Sequence, residues 1–238
     1  MKKFKRLLFL ILFLGLTIPA YCFRFSPMNF DKRIDGDDSY QEFTIKNDSK
    51  KNIKYQIRVF STGKENDVSK FVKIYPKVIS VDPLSEGKFK VFLENDESIK
   101  NGEHGFMIGI KSIKMPELND TKPTVADPAL EFKIGVNLEM FAYKGDVKEE
   151  FTLTNNKFYK DKEGKKYWQG TIKNDTGRGY ELAVGFKDRM EAVFGLESKG
   201  RLFNGKTADL KVQIPKGAKK IIFWDWNNNS VVCQEIEI

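Results

Sequence analysis

The dominant pattern along the chain is an alternation of apolar and polar residues. It holds over residues 53–59, 89–93 and 106–110, and it is longest over residues 130–140, where six apolar side chains occupy every second position. A period of two is typical of strands with one face against an apolar core. Pairs of turn-forming residues separate these segments: Asp35-Gly36, Asn47-Asp48, Glu86-Gly87, Asn101-Gly102 and Asn204-Gly205. The pattern therefore predicts an all-β protein.

An internal repeat divides the chain into two similar halves. The segment FTIKNDS at residues 43–49 recurs as GTIKNDT at residues 170–176, and an alternating segment follows each copy. Many short strands with regular turns, in the same order twice, predict two tandem immunoglobulin-like β-sandwich domains. We place these domains at residues 23–143 and 144–238. The one stretch that the pattern allows to be helical is residues 188–194.

The first 22 residues have the pattern of a signal peptide. Four cations precede an apolar run over residues 7–18, and Ala20-Tyr21-Cys22 predicts cleavage before Phe23. The alternative is an uncleaved anchor, although the run is short for a membrane span. Lipid attachment at Cys22 is disfavoured because Tyr21 is bulky. The sequence thus predicts an exported chain with no stable membrane span after cleavage.

Charge and cysteine content narrow the function further. The formal net charge is +8, and four of the 41 lysine and arginine residues lie in the predicted signal peptide. The remaining charges are mixed in sign without a run of five like charges, which argues against a nucleic-acid partner. Cys233 is the one cysteine after residue 22, so no internal disulfide is expected, and we expect its thiol to be buried.

The sequence offers little for catalysis. His104 is the sole histidine and lies in a turn, where we expect it to be solvated. Neither a zinc-ligand pattern, nor a nucleophile elbow, nor a glycine-rich phosphate loop is present. We therefore predict a protein that is not an enzyme and needs no cofactor or metal. Trp224 and Trp226 allow a carbohydrate-binding module as an alternative, but residues 221–224 favour a core strand.

The strictly alternating segment 130–140 has two interpretations. It is either a covered central strand of its own domain or an edge strand that pairs with another protein. The pattern alone favours the covered strand slightly.

Several segments occur in the order and spacing of a known family. They are Phe25-Ser26-Pro27, residues 43–47, residues 75–83 with a proline at the second and last positions, residues 105–116, the polar loop 117–129, and the alternating strand. Together they resemble the PapD-like periplasmic pilus chaperones, of which this chain would be a divergent member. That family has two immunoglobulin-like domains.

The resemblance implies a function. Such a chaperone resides in the periplasm and lends alternate apolar residues of this strand to an incomplete pilus or surface-fibre subunit. It often acts with an outer-membrane usher. The matching positions here are Leu130, Phe132, Ile134, Val136 and Leu138.

One feature departs from the family. Family members hold the subunit's C-terminal carboxylate with an arginine on the first strand and a lysine on the lending strand, but the matching positions here are Asn29 and Glu139. A glutamate would repel a carboxylate. Other cations nearby are candidates for the anchor: Arg24, Lys32, Arg33 and Lys133. The alternative function is a structural or adhesive surface protein built from two immunoglobulin-like modules.

Overall fold

A computed structural model describes residues 23–37, 39–113, 135–148, 151–227 and 232–238. Apart from one 3-10 turn at Ser69–Phe71, its regular elements are strands. The strands before residue 145 are β1 (Phe23–Ser26), β2 (Asp31–Arg33), β3 (Tyr40–Asn47), β4 (Ile53–Phe60), β5 (Val72–Tyr75), β6 (Val78–Val81), β7 (Glu86–Leu93), β8 (Gly102–Ile113) and β9 (Gly135–Lys144). Those after it are β10 (Thr152–Lys160), β11 (Lys166–Lys173), β12 (Tyr180–Lys187), β13 (Val193–Leu202), β14 (Thr207–Ile214), β15 (Lys220–Asp225) and β16 (Val232–Glu237).

The strands form two β-sandwiches, which confirms the predicted fold class. In the first sandwich, the sheet β1-β3-β7-β5 packs against the sheet β2-β9-β8-β4-β6 around one apolar core. In the second sandwich, the sheet β10-β11-β14 packs against β13-β12-β15-β16 around a separate core that includes the fully buried Trp168. Each core is lined by the inward-facing side chains of alternating strands, as the period of two requires.

The N-terminal segment contributes to both sheets of the first sandwich. β1 pairs antiparallel with β3, and a few residues later β2 pairs parallel with β9 in the opposite sheet. Phe30 lies at the crossing between them and is fully buried, with its ring 5.3 Å from that of Phe106. The crossing therefore fixes β2 against the end of β9.

The sequence repeat has a structural cause in a buried asparagine. Asn47 ends β3 and is 1% exposed. Its side-chain amide donates to the carbonyls of Lys51 and Val81 (2.8 and 3.0 Å), and its side-chain oxygen accepts from the backbone N–H of Ser49 (3.0 Å). One side chain thus closes the turn after β3 and ties it to the neighbouring chain segment.

Asn174 does the same in the second sandwich. It is fully buried, donates to the carbonyls of Arg178 and Leu202 (2.8 and 2.9 Å), and accepts from the backbone and hydroxyl of Thr176 (3.1 and 2.7 Å). A buried amide must find such partners because an unpaired one costs free energy. The repeated motif is therefore a repeated turn device.

Two local predictions are wrong. Residues 188–194 are not helical: the Asp188 carboxylate accepts hydrogen bonds from the backbone N–H groups of Met190 and Ala192 (2.8 and 3.0 Å), which closes a turn before β13. Glu86-Gly87 is not a turn but the start of β7. A glycine is required there because an added Cβ would overlap the side chain of Val81 on β6.

His104 also differs from expectation. It lies within β8 and is 8% exposed. Its Nε2 donates to the Lys100 carbonyl at 2.7 Å, which ties the strand to the chain segment just before it. The prediction of a solvated histidine is therefore wrong. Cys233 is buried as predicted, and Trp224 lies on core strand β15 with its side chain partly covered, whereas Trp226 is 47% exposed.

Candidate functional site

Strand β9 is covered on one edge and open over half of the other. It pairs with β8 without a bulge, from Gly135 opposite Lys111 to Lys144 opposite Gly102. On its other edge, β2 pairs only with residues 141–143. Over residues 135–139 that edge pairs with no strand in the part of the chain that the structure describes. We call residues 135–139 the open edge of β9.

The backbone direction of the open edge follows from one hydrogen bond. The N–H of Phe141 donates to the carbonyl of Phe30 at 2.9 Å, on the side of β9 that faces away from β8. Because N–H and C=O groups point to the same side at every second residue of a strand, those of residues 135, 137 and 139 face the same way. An added strand would find these donors and acceptors aligned.

The side chains of the open edge alternate as the sequence predicts. Val136 and Leu138 are half-buried on the core side, and Leu138 packs against the first core, which Met140 then enters. Gly135, Asn137 and Glu139 are exposed on the outer face. The remaining residues of the predicted stripe and one candidate anchor lie outside the described residues: Leu130, Phe132, Lys133 and Ile134.

A lysine from a distant loop meets the open edge. Lys64 forms an ion pair with Glu139, with Nζ 2.5 Å from Oε1. The loop that carries Lys64 is held by the Asp67 carboxylate, which accepts from the backbone N–H groups of Thr62 and Ser69 (2.5 and 3.1 Å). Lys64 could not be identified from the sequence, because 75 residues separate it from Glu139 and no motif links them.

The two positions that match the family's carboxylate anchor each lie two residues before the first paired residues of β2 and β9. Asp31 is opposite Phe141 in the parallel pair of β2 with β9. Asn29 and Glu139 come two residues earlier on each chain segment, so Asn29 precedes the start of β2 and Glu139 is the last residue of the open edge. Neither residue is a cation, and the anchor position remains a prediction.

Of the other described candidate anchors, two form ion pairs within the protein and the third lies beside the covered end of β9. Arg24 on β1 donates to Asp48 (2.8 and 3.1 Å), and Arg33 donates to Asp35 (2.8 and 3.2 Å). These hydrogen bonds hold the pKa of each aspartate carboxyl below its ordinary value. Lys32 is half-buried on β2, opposite Ala142 of β9.

A buried ionic cluster joins the two sandwiches next to the end of β9. Arg201 donates to Glu103 through Nε and Nη2 (3.0 and 2.5 Å) and to Asp31 through Nη1 (3.2 Å). Arg178 pairs with Asp225 at 2.6 Å and with Asp31 at 3.7 Å. Burial raises the pKa of Asp225 above its ordinary value, although Arg178 opposes the shift. We call these five residues the junction cluster.

Aromatic contacts complete the junction. The rings of Phe141 on β9 and Phe203 after β13 meet edge to face at 5.7 Å, and the guanidinium of Arg201 lies 3.6 Å above the Phe141 ring. Arg178 lies 5.1 Å from the ring of Tyr143. The last residues of β9 are thus fixed between the sandwiches, whereas its first residues are not.

The described residues contain no group of three or more histidine, cysteine or acidic side chains placed to hold a metal ion. Within the same residues, no helix is long and apolar enough to cross a membrane.

The fold is that of the pilus chaperones. The structure of the YadV chaperone matches with a TM-score of 0.50 at 10% identity, over 91% of this chain and 99% of that chain. The Escherichia coli chaperone DraB matches with a TM-score of 0.48 at 14% identity, over 92% and 98%. The SafB chaperone, in a complex with the Salmonella enterica SafA pilin, matches with a TM-score of 0.47 at 13% identity, over 87% and 90%.

No protein-family model and no curated protein matches the sequence itself. Many of the solved structures that share the fold are PapD-like periplasmic pilus chaperones, so the resemblance noted from the sequence is confirmed at the level of the fold.

Proposed function

We propose that this chain is a periplasmic chaperone that binds an incomplete subunit of a pilus or other surface fibre by strand addition. Residues 130–140 form the lending strand, and the partner chain pairs along the open edge of β9. The chain divides into two domains at Tyr143 and Lys144, and residues 1–22 act as the export signal. No cofactor or catalytic group takes part.

The observation that supports this proposal is the asymmetry of β9. Its last residues are covered by β2 and fixed at the junction, while residues 135–139 keep a regular edge with no described strand beside it. Main-chain hydrogen bonds along such an edge provide affinity, and side chains at every second residue provide specificity. The half-buried Val136 and Leu138 have apolar surface left to cover.

The apolar stripe can hold a partner. Burying one leucine, phenylalanine or isoleucine contributes about 1.5–3 kcal/mol. Leu130, Phe132 and Ile134 in a subunit groove would therefore contribute about 5–9 kcal/mol before the entropic cost of association.

The position of Glu139 changes how the partner's end is held. Lys64 neutralises Glu139, so the site presents an ion pair where the family presents two cations. A C-terminal carboxylate would have to displace Glu139 from Lys64. We therefore expect strand pairing and the apolar stripe to carry more of the affinity than ionic anchoring does.

The experiment is subunit capture by two matched variants. Tagged protein is purified from the periplasm of the producing organism, and co-purifying proteins are identified by mass spectrometry. Ile134→Glu places a charge in the apolar stripe and should abolish capture while circular dichroism stays unchanged. Asn137→Glu places the same charge on the outer face and should leave capture intact.

Two outcomes would contradict the proposal. Loss of folding in Ile134→Glu would mark the strand as ordinary core. Absence of any co-purifying fibre subunit in cells that make surface fibres would favour the structural or adhesive surface protein, which cell fractionation would then find on the cell surface and not in the periplasm.

A further inference from the structure

Among the described strands, most sheet edges are short or irregular. β1, β5 and β6 have four residues each, and β2 has three. Among the longer edge strands, β10, β13 and β16 each carry a bulge. Bulges and shortness protect a sheet edge from pairing with another chain.

β14 is different. It is eight residues long, pairs with β11 in a continuous register, and has no strand on its other edge among the residues described. Its inward side chains are apolar, and two of them, Ala208 and Leu210, remain half-buried whereas Val212 and Ile214 are buried. β14 therefore has both an unpaired backbone edge and apolar surface left uncovered beside it.

The charges on β14 fit a second copy of the same strand. Asp209 and Lys211 project from its outer face, two residues apart and on either side of Leu210. If two β14 strands pair antiparallel with Leu210 opposite Leu210, each Asp209 lies opposite the Lys211 of the other copy. The two opposite-charge pairs are cross-strand neighbours, which stabilise a sheet.

The same charges select this register over its neighbours. Residues that lie opposite each other on the two β14 strands must be on the same face of the sheet. The register can therefore shift only in steps that keep the apolar residues of one strand opposite the apolar residues of the other. Centring the pair on Asp209 would oppose two aspartates, and centring it on Lys211 would oppose two lysines. Only the register centred on Leu210 brings both unlike pairs together.

We propose that this protein forms a two-fold symmetric dimer through antiparallel pairing of β14 with β14, centred on Leu210. The contact is self-complementary, as a two-fold interface must be. It joins the sheets β10-β11-β14 of two molecules into one six-stranded sheet and covers the exposed parts of Ala208 and Leu210. Because β9 belongs to the other sandwich, the dimer keeps two open edges, one on each molecule.

The first test is charge reversal, measured by sedimentation velocity on the purified protein starting at Phe23, without any partner. Lys211→Asp turns both Asp209–Lys211 pairs of the dimer into pairs of aspartates, and we expect the dissociation constant to rise by about tenfold or more. Asp209→Lys should do the same. The double variant Asp209→Lys/Lys211→Asp restores both pairs with the charges exchanged and should dimerise within about threefold of wild type.

Folding is controlled in each variant. Asp209 accepts a hydrogen bond from Thr171 (2.6 Å), and the Lys211 ammonium lies 4.7 Å from the ring of Tyr167, so both substitutions also touch β11. Fluorescence of the buried Trp168 on β11 reports whether the sheet is intact. A monomer at all concentrations would overturn the proposal, and so would a dimer that neither single reversal weakens or that the double variant fails to restore.

The second test fixes the register. Leu210→Cys would place two thiols opposite each other, with Cα atoms about 4.5–5.5 Å apart, which is within disulfide range. Mild oxidation should therefore link it into a covalent dimer. Ala208→Cys, whose symmetry mate would lie about 13 Å away, should not link. Equal linking of both variants, or linking of wild type through Cys233, would overturn the register.

Discussion

The buried asparagine of the second sandwich permits a sharp test of how the repeat stabilises the fold. Asn174→Ala removes four hydrogen bonds, of 2.7, 2.8, 2.9 and 3.1 Å. The N–H of Thr176 and the carbonyl of Leu202 lose their side-chain partner. A buried polar group without a partner costs about 1–3 kcal/mol, so we expect a loss of about 2–5 kcal/mol in the free energy of unfolding.

The assay is urea unfolding followed by two signals. All three tryptophans of the chain lie after residue 150, so fluorescence reports the second sandwich, while circular dichroism reports both. Asn174→Ala should lower the fluorescence midpoint. Asn47→Ala should lower the midpoint seen by circular dichroism and leave the fluorescence transition nearly in place. As a control, Asn95→Ala removes an exposed asparagine and should change the free energy of unfolding by less than about 0.5 kcal/mol.

A loss below about 1 kcal/mol for Asn174→Ala would refute this reasoning, because it would mean that water or a shifted backbone satisfies the abandoned groups at little cost. Equal shifts of both signals by either asparagine variant would show instead that the sandwiches unfold as one unit.

Three further predictions concern the junction, the outer face beside β9 and the response to acid. Arg201→Met leaves the buried Glu103 carboxylate without its cation and Asp31 with Arg178 alone, and it should lower the free energy of unfolding by about 3–5 kcal/mol, measured by thermal or urea unfolding, whereas Arg189→Met, at an exposed site, should be neutral. Gly109→Ala should lower the free energy of unfolding by about 1–3 kcal/mol because the added Cβ would overlap the Phe60 ring. In a Phe60→Ala background the same substitution should cost much less, and a similar cost in the wild-type and Phe60→Ala backgrounds would contradict the overlap. Burial raises the pKa of Asp67, but hydrogen bonds from its loop lower it by more, so the folded pKa lies below the unfolded one. The stability that Asp67 contributes is therefore present above the unfolded pKa and is lost as pH falls through the folded pKa. Asp67→Asn should flatten the dependence of the free energy of unfolding on pH below about pH 4, and an unchanged profile would contradict this.

Local pattern was enough to predict the strands whose two faces differ. β4, β7 and β8 were predicted because apolar side chains at every second position must face a core. The repeat was enough to predict two sandwiches, because the same strand-and-turn order needs the same packing. Residues 188–194, which the pattern allowed to be helical, are not a helix because the Asp188 carboxylate closes a turn through backbone contacts that periodicity does not encode.

The candidate site was only partly visible in the sequence. Alternation identified the stripe that includes Val136 and Leu138, but it did not show that β2 covers β9 only at residues 141–143. The ion pair of Lys64 with Glu139 depends on a loop brought close by the sheet. Sequence spacing carries no information about such contacts.

The sequence by itself determined the fold class, the two-part organisation and the strand with the strongest apolar alternation, because each rests on periods and motifs read within a few residues. Tertiary structure decided which strands lie at edges, which edges are regular, and which charges meet. The junction cluster illustrates the difference, since Arg201 and Asp31 are 170 residues apart in the sequence and yet Arg201 Nη1 lies 3.2 Å from Asp31 Oδ2. Edges and ion pairs arise from pairing between distant segments, and that pairing is fixed only when the two cores are packed.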